Sequence, residues 1–202
     1  MYKFIFKRIL DLSLSLIVSI LFLPFLIIFA IVIKIDSSGP IFFKQKRVGK
    51  DLKLFQVLKL RTMTDKKRKV SDKPIIGKTD DVTKVGYFLR RFKIDELPQV
   101  FNVLKGDMSI VGPRPNVPKQ LENMTEKEKM RYSVKPGLTG LSQVSGNIHI
   151  SWKERFEYDL KYAYNISFIT DLKIILKTFL IIFKGEQHFI HSSKNIIKDA
   201  ES

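Results

Sequence analysis

The sequence predicts an α+β chain, mainly helical, in which an N-terminal membrane element of the helix-break-helix kind precedes a small β-hairpin and several amphipathic helices. Three observations carry that expectation. Residues 12 to 33, LSLSLIVSILFLPFLIIFAIVI, hold no charge. The stretch IFFKQKRVGKDLKLFQVLKLRTM has two β-rich runs around Gly49, the pattern of a basic, apolar hairpin. Further on, DVTKVGYFLRRF sets Val82, Val85, Phe88, Leu89 and Phe92 at helical spacing with arginines on the other face. A chain of 202 residues holds one ordinary domain and an extra element. We place the membrane element at 1–36, the main domain at 37–186 and a flexible tail at 187–202.

The apolar stretch of 22 residues is long enough for a bilayer core of about 30 Å at about 1.5 Å per residue. It is too long for a signal peptide, and Lys34 and Asp36 stand where small residues would precede cleavage. Its flanks are cationic on both sides: Lys3, Lys7 and Arg8 before it, Lys34, Lys44, Lys46, Arg47 and Lys50 after it. Each flank has the character of a cytoplasmic one. Pro24, in the middle, lacks an N–H and crowds the carbonyl of Ile20. These features favour a re-entrant hairpin that enters and leaves by one face, while a span that tolerates its proline stays open. Ser13, Ser15 and Ser19 have hydroxyls able to bond back to carbonyls freed near the break.

The formal charge of +16 implies a polyanionic neighbour, whether nucleic acid, an anionic membrane face or a phosphorylated substrate. With no cysteine, disulfides and thiolate chemistry are excluded. His149, His188 and His191 are too scattered to suggest a zinc site. Asp36 to Pro40 form a turn cluster, and residues 65 to 81 a polar loop whose KKRK suits anionic lipid at least as well as nucleic acid. A helix is expected from Asp95 as N-cap, with Glu96 in its first turn, Val100, Phe101, Val103 and Leu104 packing, and Gly106 closing it. A charged helix follows at about 118 to 132. Ser151 and Glu154 make a capping box for a helix to about residue 165. Thr170 and Asp171 open DLKIILKTFLIIFKG, suited to lie on a membrane or pack on the core.

Asp95 and Glu96 stand among Arg90, Arg91 and Lys93, and Arg114 lies between two prolines. A plain account makes the acids a helix cap and a partner of the helix dipole. Their neighbours suggest more. The loops SIVGPRPNVP and VKPGLTGLSQVSGN offer backbone N–H groups able to cradle phosphate. One carboxylate could then attack phosphorus while the other holds a divalent cation against the phosphate oxygens, a task that suits magnesium.

With LRRFKIDELPQVFNVLKGDMSIVGPRP, KPGLTGLSQVSG, the proline-broken apolar segment and DLKIILKTFLIIFKG in this order, nearly the whole chain resembles the bacterial sugar transferase family. These are small monotopic phosphoglycosyl transferases acting on polyprenyl phosphate. The resemblance implies a phosphotransferase that moves a sugar 1-phosphate from a UDP-sugar to undecaprenyl phosphate and releases UMP, through a phosphosugar-aspartate on Asp95. It implies Glu96 as ligand of Mg2+, Arg114 and in a lesser role Arg90 as phosphate contacts, and a re-entrant helix broken at Pro24. It further implies a catalytic domain at the cytoplasmic face of a bacterial inner membrane, in surface polysaccharide or glycoconjugate synthesis. Anionic lipids are the expected neighbours, and nucleic acid is not. Two positions depart from the family pattern: Leu23-Pro24 replaces a frequent Ser-Pro, and Gly146-Asn147-Ile148 lacks a frequent arginine, which leaves open a substitute such as Lys135. A membrane-anchored, non-catalytic polyanion-binding module is the alternative, and transfer of the sugar without its phosphate is a third.

Overall fold

Thirty residues, Lys7–Asp36, form one α-helix (α1), entered through a π-helical turn at Tyr2–Phe6. The computed structural model describes residues 2–64 and 81–184. The expected loop at 65 to 81 except for its last residue, the tail from 187, His188 and His191 fall outside them. Pro24 lies inside α1 without interrupting it, so the expected break takes the form of one lost hydrogen bond to Ile20 within a continuous element. The Ser15 and Ser19 hydroxyls are buried with no hydrogen-bond partner, so they do not bond back to the helix as expected. Their burial belongs to packing: Asp11, Ser15, Ser19, Phe22 and Ile33 follow helical spacing and are the buried residues of α1. The opposite side leaves Leu16, Ile20, Leu21, Leu23, Phe25, Ile27, Ile28 and Ile31 exposed, an apolar face long enough to meet lipid.

Charged groups fasten α1 at both ends. Near its start, Arg8 donates to the Val103 and Leu104 carbonyls (2.7 and 3.0 Å), and Asp11 accepts from the Ile110 N–H (2.9 Å). Lys7 meets Asp171 at 2.7 Å, and Tyr2 and Tyr162 also donate to that buried carboxylate. At its other end Arg61 donates to the carbonyls of Ile33, Ser37 and Ser38. One of these carbonyls, Ile33, also accepts the Ser37 N–H, the other two lie just past the helix end, and the guanidinium there favours the negative end of the dipole.

The hairpin forms as the alternating pattern predicts: β1 (Phe42–Val48) pairs antiparallel with β2 (Leu54–Leu60), Phe42 opposite Leu60 and Val48 opposite Leu54. Helix α2 (Lys84–Arg91) starts at Thr83, whose hydroxyl accepts from the Gly86 N–H, while Asp36 accepts from the Val85 N–H. Phe22 and Ile33 pack with Leu60 and Leu89, joining α1, β2 and α2 in one cluster. The next helix begins differently from the expectation. Its N-cap is Lys93, in the left-handed region at φ 57°, and Ile94–Gln99 is a 3-10 turn ahead of α3 (Val100–Lys105). Asp95 therefore sits inside the turn and caps nothing. Gly106 closes α3 at φ 99° as expected, because a left-handed C-cap carries no Cβ penalty on glycine. Asn102 on α3 accepts from the Leu58 N–H (3.1 Å) and donates to the Gln56 carbonyl (2.8 Å), so its amide pairs with the open side of β2.

Two short strands, β3 (Ser109–Val111) and β4 (Gly137–Thr139), pair in parallel. The segment between them is not the single helix expected at 118 to 132: 3-10 turns at Pro118–Asn123 and Met130–Ser133 flank a short α4 (Glu126–Lys129). Thr125 recaps the chain there with its own capping box, splitting the run. After α5 (Leu141–Val144) comes α6 (Trp152–Tyr164), opened by the Ser151 and Glu154 capping box as the sequence predicts. Helix α7 (Phe168–Lys184) begins two residues earlier than Thr170, because the Ser167 hydroxyl meets the Thr170 N–H at 3.1 Å. Val111, Val144, Tyr162 and Ile174 form its core contact, while Phe168, Ile169, Leu172, Leu176, Phe179 and Phe183 stay exposed.

The glycine-rich loops serve packing. The Gly112 N–H donates to the Thr139 carbonyl (2.9 Å) and the Gly137 N–H to the Pro113 carbonyl (3.0 Å), so these two donors are not available to cradle phosphate. A Cβ on Gly137 would collide with the Gly112 backbone. We therefore expect Gly137→Ala to lower stability by about 1 to 3 kcal/mol, read as a fall in melting temperature of the detergent-purified protein.

Candidate active site

Three segments far apart in the chain meet at one carboxylate. The left-handed Lys93 reverses the backbone after α2, at a cost of about 1 to 2 kcal/mol for a non-glycine residue, and starts the tight turn that carries Asp95 and Glu96. Glu96 Oε1 accepts from Lys59 Nζ at 2.6 Å and from Arg114 Nη2 at 2.7 Å, and Oε2 accepts from Arg114 Nη1 at 3.2 Å. The arginine contact is the two-pronged kind that fixes direction as well as distance. Lys59 lies in β2, Arg114 between Pro113 and Pro115. Glu96 is 17% exposed at its side chain and Arg114 is 43% exposed, so the guanidinium spans from the buried acid toward solvent.

Asp95 differs from its neighbour. It is 8% exposed and makes no hydrogen bond or ion pair among the described residues. Burial raises its carboxyl, the Glu96 charge raises it further, and Lys59, Arg90 and Lys93 oppose them, leaving it at about 6. Burial would raise Glu96 as well, but the Arg114 and Lys59 charges and their hydrogen bonds outweigh it and hold Glu96 well below the ordinary carboxylate range. The two adjacent acids are thus set apart, one locked between cations and one unpaired. Such splitting of a carboxylate pair is the usual basis for dividing two chemical roles.

The cations exceed the acids. Arg90 donates from Nε to the Thr62 hydroxyl at 2.9 Å, and its charge reaches Asp95. Arg47 donates to the Pro115 carbonyl at 3.0 Å, and burial followed by the Arg114 charge draws it down to about 10. Arg155 on α6 stacks over Trp152 at 4.5 Å and is lowered by burial and then by the Arg114 charge. Mutual repulsion among these groups is relieved by an anionic ligand such as a phosphate or diphosphate.

The structure therefore brings together Asp95, Glu96, Arg114 and Arg90, all four expected from the sequence. Lys135 is not among them: its charged neighbours are Arg8, Asp11, Lys50 and Asp107. Asn147 takes a left-handed φ of 47° in the turn after Gly146, and Arg155 is the cation coupled to Arg114 from that half of the chain. Pro24 lies within α1, away from any contact with the pair. Sequence reasoning missed Lys59. Its signal was the strand period, which sets Lys59 on the same face of β2 as the fully buried Val57, where a solvated lysine does not belong.

Among the described residues no three His, Cys, Asp or Glu side chains cluster as a metal cage. The donor chemistry still fits Mg2+, which takes one or two carboxylates and completes its shell with phosphate and water. Among the described residues no hydrogen bond reaches either Asp95 oxygen, and Glu96 Oε2, with one, retains acceptor capacity.

Comparison with known proteins gives the same direction. Residues 2–185 match the family model described as bacterial sugar transferase. The chain is 43% identical over 169 residues to the uncharacterized sugar transferase EpsL of Bacillus subtilis, covering 82% of this chain and 83% of that protein. It is 43% identical over 199 residues to a UDP-glucose:undecaprenyl-phosphate glucose-1-phosphate transferase of Klebsiella pneumoniae, covering 94% of this chain but 41% of that one. A protein of the same description from Caulobacter vibrioides is 40% identical over 185 residues, covering 85% of this chain and 67% of its own length. The chain thus spans about two fifths of the Klebsiella relative's length.

Glu96→Gln removes the counter-charge from Lys59 and Arg114 together, whereas Lys59→Met removes only one of the two partners of Glu96. Thermal melting should show the larger loss for Glu96→Gln, about 1 to 3 kcal/mol, with Lys59→Met closer to the parent protein.

Proposed function

The chain belongs to the bacterial sugar transferase family, and on that footing we propose that it transfers a sugar 1-phosphate from a UDP-sugar to undecaprenyl phosphate, releasing UMP. The observation that carries this reading is the contrast between the buried, unpaired Asp95 and the cation-locked Glu96. A carboxylate that holds no partner yet lies within a field of cations is set to attack an electrophile that arrives with negative charge. A polyanion-binding module without chemistry gives such an acid no task.

In the first step an Asp95 oxygen attacks the phosphorus that bears the sugar, and the bond from that phosphorus to the bridging oxygen breaks. UMP leaves with the bridging oxygen and a phosphosugar-aspartate remains. In the second step a phosphate oxygen of undecaprenyl phosphate attacks the same phosphorus, the aspartyl bond breaks, and the Asp95 carboxylate is restored. Arg114, with Lys59 and Arg47 near it and Arg90 beside Asp95, receives the phosphate charge and orients it. When bound, Mg2+ would be held by Glu96 with donor phosphate oxygens and would supply charge neutralisation there.

We place the site at the cytoplasmic face of the membrane, with α1 re-entrant. Support comes from its two ends: Arg8 and Asp11 bind α3 and β3, while Asp36, Ile33 and Ser37 bind α2 and Arg61. A stripe from Asp11 through Phe22 to Ile33 also packs on the same body. One body touching both termini suits a helix that dips into one leaflet and leaves a straight crossing without room for the body.

Asp95→Asn should keep the fold and lose turnover by at least about a thousandfold, with UMP and UDP scored separately in the presence of undecaprenyl phosphate and a panel of UDP-sugars. Wild-type UDP in place of UMP would overturn phosphosugar transfer, and full activity in the variant would overturn the nucleophile. The chain has no native cysteine, so Lys3→Cys and Ser38→Cys can be labelled singly in oriented vesicles. Both should react only from the cytoplasmic side; reaction of either from outside identifies a span.

A further inference from the structure

Arg131 and Asp159 form the most buried ion pair among the described residues, each side chain 2% exposed, at 2.5 Å. Neither touches the acidic pair. Arg131 also donates from Nη1 to the Asn116 side-chain carbonyl at 2.5 Å and from Nη2 to the Arg114 backbone carbonyl at 2.8 Å. Asp159 is held in turn by the Ser142 hydroxyl at 2.8 Å. The Arg131 guanidinium lies near the Tyr132 and Phe156 rings, each at 5.3 Å.

The segment that receives these bonds is short of its own donors. Pro113, Pro115 and Pro118 have no N–H, so the turn around Arg114 cannot close itself with backbone hydrogen bonds as an ordinary turn would. Its carbonyls are served from outside instead: Arg114 by Arg131, Pro115 by Arg47, Asn116 by the Val48 N–H at 2.9 Å. Arg131 reaches the backbone of Arg114 itself. A buried ion pair adds little to stability over an apolar pair of similar size. What a guanidinium adds is a planar fork whose two terminal nitrogens meet Asp159, Asn116 and Arg114 at fixed angles, a geometry that the single nitrogen of lysine does not reproduce and an apolar side chain lacks.

We propose that Arg131 and Asp159 are positioning residues for the transfer reaction, a buried strut that fixes the Pro113-Arg114-Pro115 turn so that the Arg114 guanidinium meets Glu96 and the donor phosphate. The proposal rests on the phosphotransfer reading above. Arg131 touches neither substrate nor the acids and acts only through Arg114.

The test uses the full chain in detergent with two variants. Arg131→Met combined with Asp159→Leu removes both charges together and leaves no lone buried ion; Arg131→Lys keeps the charge and loses the fork. Two readouts are taken: UMP release, and the Nε–H resonance of Arg114, assigned by its absence in Arg114→Lys. With melting temperature retained, either variant should lose or shift that resonance and lose about tenfold to a hundredfold in kcat. In an Arg114→Lys background the same changes should cost less than about twofold, because the group they position is already gone. An equal loss in both backgrounds, or an unchanged Arg114 resonance in a folded variant, overturns the strut. If the parent protein releases no UMP while the resonance still responds, the phosphotransfer reading fails and the positioning stands.

Discussion

The carboxylate of Glu96 joins a strand, a turn between helices and a proline-bounded loop that are remote in sequence. Lys59 reaches it from β2 and Arg114 from the loop after β3. A single acid between two cations is a strong constraint because each cation alone would repel the other across a partly buried space. That one negative charge joins the hairpin to the loop beside the bonds that Arg47 and the Val48 N–H make to the Pro115 and Asn116 carbonyls. That charge is committed, and its neighbour Asp95 is spared from structural service. A buried acid normally has to find a partner; here burial and the Glu96 charge raise the Asp95 carboxyl, and the Lys59, Arg90 and Lys93 charges offset only part of that rise.

The membrane helix is tied to the same framework. Arg61, which receives the end of α1, stands two residues after Lys59, and Arg8, at the beginning of α1, grips the end of α3, the helix that follows the acidic turn. The height of α1 relative to the site is thus fixed from both sides through β2 and α3. On the proposed reading, a lipid phosphate at the interface would need the Asp95 carboxylate at one depth, and this arrangement would supply a rigid reference for it.

Features written in adjacent residues were legible in the sequence. The hairpin, the Ser151 capping box and the acidic pair among arginines each depend on local spacing, and each is where the residues point. The start of the helix near Asp95 was misplaced because an acidic residue before an apolar run has the form of an N-cap, whereas here the left-handed Lys93 makes the turn and the acids are carried past it. The two glycine-bearing loops read as sources of N–H groups for phosphate, but the Gly112 and Gly137 donors are spent where these residues meet across two strands remote in sequence, a contact that local composition does not record. Arg131 and Asp159 escaped notice for a related reason. A charged residue in a charged stretch looks solvated, and only the tertiary arrangement shows that it is sealed. Pro24 announced a break, yet the loss of one hydrogen bond does not end a helix whose turns on either side remain intact.

A two-stranded ribbon has two unpaired edges, and one rich in Val, Leu and Phe invites the addition of a further strand from another chain. On β2 that invitation is declined by Asn102, whose side-chain amide imitates a peptide group and occupies the Leu58 donor and the Gln56 acceptor. A foreign strand would have to expel a buried amide from α3 before it could pair there. The same amide keys α3 to β2 at a single register, since a slip by one residue would turn both backbone groups to the other side. One asparagine thereby closes that stretch of the β2 edge to a foreign strand and indexes the acidic turn ahead of α3 against the strand that carries Lys59.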